Sequence, residues 1–252
     1  MKNVFIIIIA ALLLNSGCEV LENSGLNDSE IAEGLKTALE VGTDSSVFIT
    51  SSIDGYYKNQ ALKILLPPEA DVIVDNINKI PLGDQLLENV VLRLNRSAED
   101  AAKSAAPIFK SAIQGMSLTD ALTILNGQNP SDKLKSASFD STAATGYLRS
   151  TTNDQLVEAF SVPINASLDK KLVGGISTNS AWKDLTSAYN AVAPFILKPQ
   201  VNTNLGQHVT QKALDGLFLK VGEEEVKIRR DPWKWATKVV GDILTRVFGS
   251  KT

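Results

Sequence analysis

The chain has 252 residues, with 25 Lys and Arg against 28 Asp and Glu, a single His, a single Cys and a formal charge of −3. That length can bury a full core, and we read it as one large domain. A mildly acidic chain has no electrostatic footprint for nucleic acid. One His and one Cys cannot build the usual nitrogen and sulfur zinc site, and one Cys cannot form an internal disulfide.

Lys2 precedes the apolar run from Val4 to Leu14. A run of this kind fits a secretory h-region of roughly 7 to 15 residues and falls short of the roughly 20 that span a membrane. Residues 1–17 therefore read as a signal peptide. Asn15, Ser16 and Gly17 stand immediately before Cys18, as signal cleavage requires, and the stretch resembles the bacterial lipobox. It departs at Asn15, where an apolar residue is usual, with Leu14 one place early. The resemblance implies that Cys18 is acylated and becomes the mature N-terminus. Each buried methylene contributes about 0.8 kcal/mol, so several acyl chains make a stable anchor. Glu19 is not the Asp that usually marks retention in the inner membrane, which points to the outer membrane, facing the periplasm.

Residues 18–26 are polar and small and read as a tether, leaving 27–252 as the folded part. Asn27 and Glu30 have capping-box spacing, and Ile31, Leu35, Ala38 and Leu39 follow at helical intervals. The stretch 41–70 is the least periodic of the first half and predicts irregular structure with a short helix or strand. Pro67 and Pro68 suit the opening of a helix through Val72, Ile73, Ile77 and Ile80. From Asp84, a stripe of Leu87, Val91, Leu94, Ala98, Ala101, Ala105, Phe109, Ala112 and Met116 predicts one long helix. Its outer side carries Arg96, Glu99 and Lys103, and Pro107 there predicts a kink. The alanines leave room for a close neighbour.

Ser117 and Asp120 box the start of a short helix that ends at Asn126 and Gly127, followed by the polar connector 128–141. Helical spacing resumes at Phe139, Ala143 and Tyr147 and restarts at Thr152, with Gln155 as a second box. Residues 173–180 and 198–206 break the chain around a further helix. The segment 208–230 reads as helical, and Asp231 and Pro232 open a last helix. Its apolar face, Trp233, Ala236, Val240, Ile243, Leu244 and Val247, docks on the bundle or lies on a membrane. No period-2 run supports a sheet, so the fold class is all-α: a single bundle-like multi-helix domain.

The segments "LNRSAEDAAKSAAPIFKSAIQGMSLTDALTILNG", "ATGYLRSTTNDQLVEAFSVPI" and "VTQKALDGLFLKVGEEEVKIRRDP" resemble the bacterial domain-of-unknown-function family 4197, and the opening "EIAEGLKTALEVG" extends the likeness. The resemblance implies an exported or lipidated, mostly helical envelope protein and carries no activity. Many relatives have an acid before the Tyr of the middle motif; here Gly146 precedes Tyr147.

Catalytic inventory is poor. A Cys–His pair would need the anchored Cys18, His208 beside a helix start reads as a surface or capping residue, and no phosphate-binding loop is present. No catalytic residue, metal site or cofactor is assigned. One acid stands out: on a helix through 209–230, Leu214, Leu217, Phe218, Val221 and Ile228 share a face with Glu225 among them. A carboxylate there needs a partner, either Arg229 one turn on or Arg149. Glu223 points away and Glu224 lies near the edge of that face. Two readings stand: a buried structural ion pair, or a ligand cleft walled by Glu225, Arg229, Arg149 and Tyr147.

The expected function is that of a non-catalytic cell-envelope lipoprotein, held to the membrane by its lipidated N-terminus, its helical scaffold binding a partner protein or a small amphiphile. One alternative is a carboxylate-dependent hydrolase acting on an envelope glycan, with acids ~5 to 10 Å apart; another is a lipid carrier with an inter-helix cavity. A filled core favours the scaffold, two acids facing across a cleft the hydrolase, and a large closed apolar cavity the carrier.

Overall fold

The computed structural model describes residues 27–79, 82–132, 138–171, 175–202 and 204–231. The expectations for the leader, Cys18, the tether and the C-terminal helix lie outside these residues. Among the described residues regular structure is entirely helical. The helices are α1 (Asp28–Ser51), α2 (Asp71–Val74), α3 (Gly83–Ala102), α4 (Ala105–Gln114), α5 (Leu118–Leu125), α6 (Ala143–Asp169), α7 (Thr178–Val192) and α8 (Leu205–Arg230), with 3-10 turns at Pro68–Ala70, Ile77–Lys79 and Ala193–Ile196.

The chain divides into two compact units. In the first, residues up to Gly42 join 113–147 and the chain from Glu225 onward; the second combines 43–112 with 148–224. Ile31, Leu35, Leu39, Ile113, Ile124 and Ile228 are buried in the first. The second buries Leu94, Phe109, Leu156, Phe160, Leu185 and Leu217, and in it α3 packs on α7.

Helix starts follow local chemistry. Asn27 and Glu30 form a reciprocal box, the Asn27 N–H donating to Glu30 Oε2 at 2.9 Å and the Glu30 N–H to Asn27 Oδ1 at 3.0 Å. Ser117 Oγ accepts the Asp120 N–H at 3.0 Å to open α5, and Gly127 (φ +71°) follows its C-terminal end in the left-handed region. Ser177 Oγ takes the Ser180 N–H at 3.1 Å at the start of α7.

Four expectations are corrected. Helix α1 runs on to Ser51, through the stretch read as irregular. Its buried face continues beyond Leu39 as Thr43, Ser46, Val47 and Thr50, and the Thr50 hydroxyl donates back to the Ser46 carbonyl at 2.8 Å. Small polar residues that hydrogen-bond within their own helix take apolar positions here and hide the period.

The long stripe from Asp84 is not one helix, because α3 ends at Ala102 and α4 begins at Ala105. Pro107 has no N–H for the Lys103 carbonyl, and its ring crowds that carbonyl, so the helix breaks one turn upstream and Pro107 falls in the first turn of α4. Residues 68–79 form the single-turn helix α2 between two 3-10 turns in place of one longer helix.

Helix α6 passes through Thr152 without restarting, since the Thr152 hydroxyl donates to the Leu148 carbonyl at 2.6 Å instead of capping. It also continues through Pro163. The Ala159 carbonyl that Pro163 leaves without its helical donor stands 3.5 Å from Ser104 Oγ, beside the alanine-rich end of α3. Small residues there admit a close neighbour.

Candidate functional site

Glu225, 5% exposed, lies on the buried stripe of α8. Its Oε1 accepts the Ala144 N–H at 3.0 Å, and its Oε2 accepts the Thr145 N–H at 2.8 Å and the Thr145 hydroxyl at 2.7 Å. These two N–H groups belong to the first turn of α6, where no intrahelical carbonyl reaches them. Glu225 is therefore an N-cap supplied by another helix, and its negative charge meets the positive end of the α6 dipole.

Arg229 completes the arrangement. Its Nε and Nη2 donate to Glu225 Oε1 at 3.0 and 2.9 Å. Nη2 also donates to the Ile124 carbonyl at 2.8 Å, and Nη1 to that of Leu125 at 3.3 Å. Those carbonyls end α5, beyond the reach of i+4 helical donors, the Ile124 oxygen also taking the Gly127 N–H at 2.9 Å, so the cation caps a helix C-terminus. One ion pair, spaced a single turn apart on α8, thus closes an N-terminus and a C-terminus together. The Phe139 ring lies 5.6 Å from the guanidinium. The adjoining cavity, among Leu35, Ala38 and Leu39, holds about 20 Å³, enough for one water. With both carboxylate oxygens engaged, Glu225 has no free basic position for substrate chemistry.

The four residues expected as one wall have different partners. Tyr147 is buried in the same unit as Glu225, and burial, reinforced by the Asp120 carboxylate, pushes its phenol above the ordinary range. Arg149 belongs to the other unit and pairs with Asp215 at 2.8 Å, its guanidinium 4.9 Å over the Phe218 ring. Gly146 has the Asn129 amide against it; a Cβ there would lie 2.6 Å from Asn129 Nδ2.

A second acid was not legible. Glu99, read as outward-facing, is 4% exposed. Its Oε1 accepts the N–H groups of Tyr56 and Tyr57, both at 3.2 Å, and its Oε2 pairs with Arg96 at 2.6 Å. Arg96 continues to Asp54 at 2.6 Å, which Lys58 also meets at 2.8 Å. Hydrogen bonds from Lys58 and then Arg96 hold the Asp54 carboxyl below its usual value. Nearby, Asn95 clips a non-helical segment, accepting the Ile64 N–H and donating to the Ile64 carbonyl, each at 2.8 Å. The signal was a polar stripe, Asn95 and Glu99 one turn apart, beside the apolar one.

Larger hollows lie in both units. The first unit has a cleft of about 230 Å³ lined by Asp120, Asp132 and Asp140 among other polar residues. The second has a groove of about 370 Å³ between 61–68 and one stripe of α8. His208 lines it, with Nε2 2.9 Å from the Leu65 carbonyl, which requires the proton on Nε2. Among the described residues no cluster of three or more metal-ligating side chains occurs, and no helix is long and apolar enough to cross a membrane.

Fold and site define an all-α protein in which each unit turns a buried glutamate, neutralised by a neighbouring arginine, toward two consecutive backbone N–H groups. Residues 25–249 match the family described as protein of unknown function (DUF4197), and the chain belongs to that family. No curated protein and no solved structure matches the chain.

Proposed function

We propose that this protein is a non-catalytic lipoprotein of the bacterial cell envelope, anchored through acylated Cys18 on the periplasmic face of the outer membrane, its helical domain a scaffold that binds a partner protein or a small amphiphile. One observation carries the non-catalytic part: Glu225, the acid on the apolar stripe, spends both oxygens on the backbone of α6 and on Arg229. The same use of Glu99 supports it. An ion pair that ties helix ends together specifies packing. The leader and Cys18 supply the envelope part of the reading.

Metabolic labelling with radioactive palmitate tests the anchor. The full chain takes up label and Cys18→Ala does not; an unlabelled wild-type chain overturns it.

The glycan hydrolase remains the second reading, favoured by the three aspartates around the polar cleft. Two of them already serve local structure: Asp120 accepts the Ser117 hydroxyl at 2.7 Å, and Asp140 accepts the N–H and hydroxyl of Thr142 at 2.8 and 2.7 Å. Release of soluble fragments from envelope glycan by the wild type, lost in Asp120→Asn, would establish this reading in place of the first.

A further inference from the structure

The groove of the second unit has two unlike walls. One is the segment Ala61 to Leu66 with Pro68, held in place by the Asn95 clip and by His208. The other is a stripe of α8. Leu65 and Leu219 line it while 61% and 44% exposed, so each presents apolar surface to water. At Gly216, on the α8 wall, a Cβ would come 2.8 Å from the buried Tyr56 ring, so glycine lets that helix pack closely against it. Its volume of about 370 Å³ lies at the small end of the roughly 300 to 1,000 Å³ usual for small-molecule sites.

The charges along it are unequal. Lys63 and Lys212 line the groove, and Asp215 is the one carboxylate among its lining residues. Asp215 is already neutralised by Arg149 at 2.8 Å. Lys63 stands 4.6 Å over the Tyr57 ring, while Lys212 has no ion-pair partner among the described residues. An apolar trough with uncompensated positive charge selects for the head group as well as for the chain.

We infer that this groove binds a single-chain amphiphile with an anionic head, a carboxylate or a phosphate, its chain against Leu65 and Leu219 and its head at Lys212. The inference rests on the reading of the protein as a binding scaffold and names the ligand class.

Calorimetric titration of the full chain with laurate, lauroyl-lysophosphatidylglycerol and neutral dodecyl maltoside, each below its micelle concentration, tests it. At least one anionic amphiphile binds one to one and at least tenfold tighter than the maltoside; which of them binds tighter separates a free fatty acid from a phospholipid-derived ligand. Lys212→Glu, at an exposed position, weakens anion binding at least tenfold while circular dichroism is unchanged, and Leu65→Asn weakens all chains alike. Equal affinity for the maltoside, or undiminished binding in Lys212→Glu, overturns the head-group assignment and leaves the scaffold reading standing. No binding of any of the three overturns the groove as a site, and a chain that takes up no palmitate overturns the anchor alone.

Discussion

Glu225 and Arg229 together meet the N–H groups of Ala144 and Thr145 and the carbonyls of Ile124 and Leu125. Removing one partner leaves the other charge buried with nothing to balance it, which costs about 3 to 5 kcal/mol. Glu225→Gln and Arg229→Met are each expected to lower unfolding free energy by about 3 kcal/mol in urea titrations, and the double variant to lose clearly less than the sum. Additive losses would contradict a shared network. Tyr56 gives a pH test. It is buried, with its hydroxyl donating to the Ala213 carbonyl at 2.7 Å, and burial pushes its phenol well above the ordinary range. A group with a raised folded pKa stabilises fully below its unfolded value, near 10, and loses that contribution as pH rises beyond it. Stability is expected to fall by about 1.4 kcal/mol per pH unit above 10 from this phenol, and Tyr56→Phe to flatten that limb in denaturant titrations between pH 8 and 11. The ion pair was legible because both charges lie on α8 one turn apart. Its backbone partners, some 80 and 105 residues away in sequence, leave no local pattern, and the same is true of Tyr56 on Glu99.

At the scale of elements, helix starts carry their own chemistry and could be read directly. Asn27 with Glu30, and Ser117 with Asp120, need only residues three apart, and both caps form where the spacing placed them. Asn27→Ala and Ser117→Ala are each expected to reduce stability by about 1 kcal/mol, measured by thermal unfolding. Helix ends proved harder. The second half of α1 was hidden because Thr43, Ser46 and Thr50 occupy its buried face, and a period counted on apolar residues alone passes over them. Ser46 is fully buried, so Ser46→Leu is expected to destabilise by about 1 to 3 kcal/mol in the same melts; a neutral outcome would show that this face is not packed. Pro107 and Pro163 make a matching pair. The first sits after a helix break and the second inside a continuous helix, and only tertiary surroundings distinguish them.

Over the whole molecule, helical periodicity alone was enough for the fold class, and four motifs for the family. The division into two units was beyond it, because α1, α4, α6 and α8 each contribute residues to both and no composition shift marks the crossings. The proposed function rests on the anchor expected at Cys18 and on the cationic apolar groove, so it is best tested on the protein drawn from its own membrane. Native mass spectrometry of the full-length mature protein, extracted in a mild neutral detergent, reads both features at once. The expected spectrum shows a polypeptide beginning at an acylated Cys18 and, bound to it without a covalent link, one anionic single-chain amphiphile lost in Lys212→Glu. A polypeptide free of acyl mass, or one carrying only neutral ligands that persist in Lys212→Glu, would contradict it.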